Sequence, residues 1–365
     1  MDRHDVSEAV TAENIAQLHQ EDLKAPNQFG CRGFTYWFDE KRKTAFCLIE
    51  AAHAQVIYEM HSHAHGEVPH SVIEVDASIV ESFLGRIEDP EKAKNTALSI
   101  INDPAFRTIM VVELKLLSPK QNDPTQFKFS LNNYNVSVLE VLQSYDGSPV
   151  KQTDNQFLVS FKSVSNAVRA AVDIQSGFKK FSDDIKDDKA FIKIGLNAGV
   201  PVTKKQLIFE DTIKLAERMC EFIKGEIIVS SEVKDLYKSE NSNTFIKGKN
   251  IFILTQTDEE FLNHLIDYIE STWANVNLRV DDFSKPMGCS KSQLYRKMKL
   301  LTGKSLNTII NEYRLTEALK LLNKNSGNIS EIAFETGFSS PSYFSKCFRK
   351  RYGRYPSGYL SAKVE

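Results

Sequence analysis

The sequence predicts a multidomain α+β protein: two ferredoxin-like α/β sandwich domains followed by an all-α double helix-turn-helix domain. Three observations predict it. Two stretches follow the order strand, helix, strand, strand, helix, strand, the first with only a stub of its opening strand, and that order is ferredoxin-like. The last hundred residues lose strand patterning and repeat one helical motif. Charge changes sign at the same place.

The chain has 365 residues, 41% hydrophobic, enough for more than one core. No apolar run approaches the ~18 residues of a membrane span. The opening "MDRHDVSEAV" lacks the apolar segment of a secretory signal, so a cytoplasmic location is expected. Five cysteines without CxxC spacing read as free thiols in a reducing compartment. Polar joints, "IEDPEKAKNTALSIINDPAF" and "TQTDEE", divide the chain into domains at 1–88, 105–256 and 259–365. The formal net charge of −2 conceals an imbalance: residues 285–363 carry 15 Lys+Arg against 4 Asp+Glu, and residues 1–284 carry 31 against 43. A basic block on an acidic body suits a polyanionic partner.

In the first domain "TAENIAQLHQEDLK" reads as a helix and "GCRGFTYWF" with "KTAFCLIEA" as a hairpin turning at "DEKR". "AHAQVIYEMHSHAH" reads as a second helix and "HSVIEVDA" as a closing strand. "MDRHDV" is the stub of a first strand. Seven of the eight histidines fall in the first 70 residues. On a helix His61 and His65 lie one turn apart on one face, a spacing used for zinc or nickel, with His63 pointing elsewhere. In an extended chain all three would share a face. Imidazole suits nickel, zinc and copper alike.

The middle domain opens with "RTIMVVELKLL" as a buried strand, then a helix over about 127–144, two strands within "SPVKQTDNQFLVSF" and a helix over 164–180. A strand "FIKIGLNAGV", a helix "TIKLAERMCEFI" and a strand "EIIVS" follow.

The last domain has helix-turn-helix grammar. "NISEIAFETGF" is a short helix with a capping box of Asn328 and Glu331, stopped by Gly337. Ser340 caps the next helix, Pro341 suits its first position and Gly353 ends it. Phe344 and Phe348 share its buried face, with Tyr343 and Cys347 beside them, while Ser342, Ser345, Lys346 and Arg349 face outward. Fifty residues earlier, "FSKPMGCSKSQLYRKMKLLTG" repeats the motif: Leu294, Arg296, Met298, Lys299 and Gly303 correspond to Phe344, Lys346, Phe348, Arg349 and Gly353. Pro286 is expected to kink the short helix of this first unit. A helix from about Ser305 to Leu322, about 27 Å at ~1.5 Å per residue, joins the units. With its flanking turns it suits recognition helices set about one DNA turn (~34 Å) apart.

These motifs carry resemblances. Residues 259–362, and "IAFETGFSSPSYFSKCFRKRYGRYP" above all, resemble the AraC/XylS-type DNA-binding domain of bacterial transcription regulators, which implies about seven helices. By position the resemblance puts Ser292, Tyr295, Arg296, Ser342, Ser345 and Lys346 toward bases and Gln293, Lys299, Arg349 and Lys350 toward phosphates. Arg296 can fork to guanine O6 and N7.

Residues 105–240, through "SYDGSPVKQTDNQFLVSF", "NAVRAAVDIQ" and "IKIGLNAGV", resemble a class III nucleotide cyclase homology domain. The metal-binding aspartates of active members fall at Glu113 and Asn155, the transition-state asparagine at Lys214 and the arginine at Arg218. Aligning the hairpin one residue differently would supply Asp154. Asn155 is a poor ligand for a hard cation, and losing such a ligand together with the asparagine removes several powers of ten of rate. No catalysis is expected.

Residues 1–86, through "GCRGFTYWFDEKRKTAFCLIEA" and "MHSHAHGEVPHSVIEVD", resemble a small nickel-binding, ferredoxin-like bacterial family. The resemblance implies His4, His61 and His65 as ligands and a few residues normally preceding Met1.

The sequence therefore reads as a DNA-binding transcription regulator whose first two domains sense a ligand or metal, or dimerise. No cofactor is required, and nickel or another divalent transition metal is the candidate ligand. Promoter DNA, a second copy of the chain and RNA polymerase are the expected partners, with no membrane. The alternative is a nucleotide cyclase, or a metal-binding protein, with an attached DNA-binding domain.

Overall fold

The structure is a computed structural model that describes residues 1–24, 29–91, 98, 100–116, 124–185, 190–242 and 251–361. Much of the first polar joint lies outside them. Among the described residues no helix is long and apolar enough to cross a membrane.

The first domain runs β1 (Asp2–Asp5), α1 (Ala12–Lys24), β2 (Arg32–Asp39), β3 (Thr44–Glu50), α2 (Ala54–Ala64), β4 (Ser71–Val72) and α3 (Ala77–Leu84). Its sheet has the order β2-β3-β1-β4, so the predicted stub is a central strand, antiparallel to β3 and β4. Alternation gives the sheet two apolar faces. Tyr36, Phe38, Ala45 and Ile49 meet α1 and α2 through Ile15, Ala16, Ile57 and Met60. Trp37, Phe46 and Leu48 face the other way, onto α3 and the middle domain's Ile109, Val202 and Phe209. The seam between these domains also has a polar lock. The buried Arg107 guanidinium donates to the carbonyls of Phe83 (3.1 Å) and Leu84 (3.0 Å), the open end of α3.

The middle domain comprises β5 (Arg107–Leu116), α4 (Pro124–Ser144), β6 (Ser148–Gln152), β7 (Gln156–Phe161), α5 (Val164–Ile185), β8 (Ala190–Gly199), α6 (Glu210–Phe222), β9 (Ile227–Val229), α7 (Ser231–Glu240) and β10 (Ile251–Ile253). The sheet order β10-β9-β8-β5-β7-β6 contains the predicted ferredoxin-like core, widened by two parallel strands. Met110, Val112 and Leu114 point from β5 toward α4 and α5, and Val111 points toward Ala216 and Cys220 of α6. Gly195 lets α6 approach the sheet, because a Cβ there would collide with the Ala216 carbonyl oxygen.

The last part is helical: α8 (Gln256–Thr272), a 3-10 turn (Val280–Phe283), α9 (Lys291–Thr302), α10 (Leu306–Asn323), α11 (Ile329–Glu335), α12 (Pro341–Tyr352) and α13 (Pro356–Ser361). Among the described residues that is six α-helices and one 3-10 turn, against about seven helices expected. Pro286 has a larger effect than the expected kink: the short helix of the first unit is only a 3-10 turn, and the chain then bends at Gly288, with φ +60°. α10 serves two cores. Leu306, Ile309 and Ile310 pack into the first, and Leu315, Ala318 and Leu322 pack with Ile332, Phe344 and Phe348 into the second. The first core is not confined to the helical part. It includes Leu215, Met219, Phe222 and Ile228 of the middle domain together with Leu262, Leu265 and Ile266 of α8. The Lys224 N–H donates to the Leu301 carbonyl across the same contact (2.8 Å). The "TQTDEE" joint opens α8 through a capping box between Thr255 and Asp258.

Candidate nucleic-acid interface and metal centre

The two recognition helices coincide at an offset of 50 in every landmark. Ser290 and Ser340 are the N-caps, Lys291–Thr302 and Pro341–Tyr352 the helices, and Gly303 and Gly353 the left-handed ends. Leu294 and Met298, like Phe344 and Phe348, are buried. Opposite them Ser292, Gln293, Tyr295, Arg296 and Lys299 are exposed on α9, as are Ser342, Lys346, Arg349 and Lys350 on α12, with Ser345 half-buried. Among the described residues Arg296, Lys346 and Lys350 form no ion pair, so their charge is available to a polyanion. Four candidates already have local bonds, among them Arg296, whose Nε donates to the Ser292 carbonyl (3.4 Å), and Lys299, whose Nζ donates to the Gly303 carbonyl (3.3 Å). Gln293 accepts the Ser290 N–H (2.8 Å) as half of a capping box, and Arg349 donates to the Tyr355 hydroxyl (2.6 Å) while stacking on its ring. Tyr343, expected beside the core, is 47% exposed on the outward face, and Asn311 donates to its hydroxyl (3.3 Å). It occupies the position of Gln293 in the first unit, which is the signal that places it outward.

The four cyclase-type positions are each engaged by neighbouring protein groups. Glu113 pairs with Lys115 (3.2 Å), and Asn155 turns toward the Leu114 carbonyl and the Thr153 hydroxyl. Lys214 and Arg218, on α6, instead grip α8. Arg218 meets Asp267 (2.5 Å), Glu270 (3.1 Å) and the Asn263 side-chain oxygen (2.8 Å). Lys214 reaches Asp267 (3.3 Å) and Glu270 (3.5 Å).

Metal-type donors gather in the first domain, around a cavity of about 410 Å³ lined by His4, Asp22, Cys47, His61 and His65. α1 brings Asp22, the last turn of α2 brings His61, and His65 follows as the helix's C-cap. His61 Nδ1, His65 Nε2 and Asp22 Oδ1 stand 3.1, 3.1 and 3.2 Å apart. Ligands on one ion at ~2.0–2.1 Å lie roughly 2.9 Å apart at right angles and roughly 3.3 Å apart in a tetrahedron, so this triangle fits a transition metal. Asp2, fully buried, holds His61 Nε2 at 3.0 Å, the carboxylate–histidine arrangement that fixes a ligating imidazole. Without metal the triangle is an ion-pair network. Burial opposes charge on His61, but its bonds to Asp2 and Asp22 prevail and push it up to about 9. Burial likewise opposes ionisation of Asp22, and the hydrogen bonds from His61 and His65 hold it down at about 2. His4 is not a member of the triangle. Its ring lies 4.9 Å from that of His61, but it groups with Asp2 and Cys47 instead. His63 is exposed, as the helical reading requires. Sequence reasoning missed Asp22. The available signal was polar His19 and Asp22 continuing the buried stripe of Ile15 and Ala16 along α1.

A family model described as "Helix-turn-helix domain" matches residues 283–362, and one described as "Nickel responsive protein SCO4226-like" matches residues 1–75. Histidine kinase P4 of Formosa agariphila is 40% identical over 112 residues, 31% of this chain and 8% of that protein. An HTH-type transcriptional regulator in the cgkA 5' region of Pseudoalteromonas carrageenovora is 38% identical over 23% of this chain and 49% of its own length. The chain thus spans less than half of either relative. Probable transcription factor PqrA of Proteus vulgaris is 30% identical over 100 residues, 27% of this chain and 82% of that protein. Among solved structures, the DNA-binding domain of AdpA in complex with a target DNA aligns at 22% identity over 26% of this chain and 89% of that one, with a TM-score of 0.26. The guanylyl cyclase Cya2 aligns at 18% identity over 36% and 78%, with a TM-score of 0.31. By its C-terminal helix-turn-helix domain, and by its likeness there to most of a regulator's length, the chain belongs to the AraC-type family of transcription regulators.

Proposed function

We propose that this protein is a cytoplasmic, sequence-specific transcription regulator in which the first domain receives a divalent transition metal at Asp22, His61 and His65 and the middle domain is a mount rather than a catalyst. The observation that carries the reading is the pair of cationic helices, superposable at an offset of 50 and joined by one helix that belongs to both cores. One chain so built presents two helices to successive major grooves. Arg296 and Lys346, with Ser292, Tyr295, Ser342 and Ser345, are the base-facing set. Lys299, Arg349 and Lys350 meet phosphates. The domain division at 1–88, 105–256 and 259–365 assigns sensing to the first part. A second copy of the chain and RNA polymerase are the proposed protein partners.

The test is occupancy of genomic promoter fragments by the full chain, with and without nickel, across a salt series. Binding at low salt that falls steeply with salt, and shifts with nickel, supports the reading. Indifference to every fragment in dilute buffer defeats it.

The engagement of Lys214 and Arg218 by α8 favours the mount over the cyclase reading, since groups held by carboxylates are not free to stabilise a phosphoryl transition state. Incubation with ATP or GTP and manganese separates the two: cyclic product that disappears in Arg218→Ala establishes the enzyme.

A further inference from the structure

The first domain has another cavity, of about 570 Å³, which shares no lining residue with the histidine cavity. Its apolar wall is Phe34, Leu48, Ile57, Ile73, Val75 and Ile87. All but Ile57 belong to the cluster that joins the first sheet to Ile109, Val202 and Phe209 of the middle domain. Phe34, Val75 and Ile87 are only half-buried, so part of that shared cluster still has apolar surface to cover. A space of this size suits a drug-sized organic molecule.

The charge of the lining selects among such molecules. It contains two carboxylates, Glu50 and Glu74, and neither Lys nor Arg. Glu50 ends β3 two residues beyond Leu48, and so continues the face of the strand that Leu48 presents. Glu74 stands between Ile73 and Val75. Both are exposed, and among the described residues neither side chain has an ion-pair or hydrogen-bond partner. Arg32 lies opposite Glu50 in the β2–β3 ladder, but its guanidinium stacks on the Phe34 ring instead, 4.8 Å from the centroid. One feature opposes a cation. The start of α2, at His53 and Ala54, also lines the cavity and has no side-chain cap. A helix start is equivalent to roughly half a positive charge, which two full carboxylate charges outweigh.

We propose that this cavity binds a lipophilic organic cation, with the apolar body against the wall and the charge toward Glu50 and Glu74. The site goes beyond the regulator reading and requires neither metal nor DNA. Because its wall is continuous with the seam between the first two domains, occupation strengthens that seam.

Tetraphenylphosphonium and tetraphenylborate, matched in shape and apolar surface but opposite in charge, test this by calorimetric titration into the full chain at low ionic strength. One phosphonium per chain is expected, bound about tenfold or more tighter than the borate. Glu50→Gln and Glu74→Gln should each weaken the phosphonium by roughly two- to fivefold, and the double variant should abolish the preference for positive charge. Both positions are exposed, so the variants should keep the fold. Hydrogen exchange should slow over residues 73–87 when the phosphonium is bound. No phosphonium binding, borate binding as tight or tighter, or phosphonium binding indifferent to the double variant overturns the proposal. So does slowed exchange confined to other segments. Each of these failures leaves the metal and DNA readings standing, since neither uses this cavity.

Discussion

Arg296 and Lys350 are both exposed cations on recognition helices, but they differ in what they can read. Arg296 presents a planar fork on the exposed side of α9, and Lys350 a single point charge near the end of α12. Arg296→Ala should cost about 1–3 kcal/mol of specific affinity and relax the preference at one base pair. Lys350→Ala should weaken all sequences alike and lower the salt slope by about one. Binding isotherms on an operator and on scrambled DNA at several salt concentrations distinguish these outcomes. In the first domain the pH dependence has a definite sign. His61 is raised to about 9 from an ordinary value of about 6.5. Its contribution to metal-free stability is thus complete below about pH 6.5 and is lost as pH rises through 9. Thermal melting of the metal-free protein should fall across that window, and His61→Ala should flatten the dependence. His61 and His65 were legible because i, i+4 spacing is a local property. Asp22 was not, since it reaches them only when α1 and α2 pack on one face of the sheet. Asp2 and Cys47 were invisible for the same reason, a ladder pairing over 45 residues of sequence.

Among elements, the helices of the C-terminal part were the most legible, because caps, glycine stops and apolar faces agree. The first unit departs where Pro286 leaves a 3-10 turn in place of a helix, a local conflict that Phe283 offsets by inserting a fully buried ring into the first core. β4, at two residues, was read as a longer strand, because "HSVIEVDA" alternates apolar and polar over more of its length than the sheet pairs. Gly337 shows why the turn before the second recognition helix needs its residue. It has φ +76°, and a Cβ would stand 2.8 Å from the Trp273 carbonyl oxygen and 2.9 Å from Arg314 Nε. Arg314, mostly buried, uses that space to donate to the Trp273 and Asn275 carbonyls at 2.7 and 2.8 Å. Gly337→Ala should therefore combine a left-handed backbone penalty of about 1–2 kcal/mol with displacement of Arg314. A lower melting temperature and weaker operator binding are expected, with the Asp22–His61–His65 cluster of the first domain unaffected. Phe348→Ala, which empties the second core, should cost about 3–5 kcal/mol, and loss of hydrogen-exchange protection confined to α11 and α12 would locate the damage.

At the scale of the molecule, apolar residues on both sides of each polar joint enter common clusters, which no local pattern reports. The contact between α6 and α8 has an ionic component that can be tested. Arg218→Ala should leave Asp267 and Glu270 with Lys214 alone and split the melting of the middle and C-terminal parts into separate transitions. Arg218→Glu combined with Asp267→Arg should bring the transitions back together. A single unchanged transition in Arg218→Ala would mean that the apolar cluster suffices.

The membership of Met219, Phe222 and Ile228 in the core beneath α9 has an evolutionary corollary. A recombination event that cut this gene at the 255–260 joint and attached a different reader would strand apolar surface on both fragments. Exchange is tolerated only when the incoming helices match α6 and β9 in shape. Substitution on the exposed outer faces of α9 and α12 leaves that core intact, whereas replacement of the whole helical head does not.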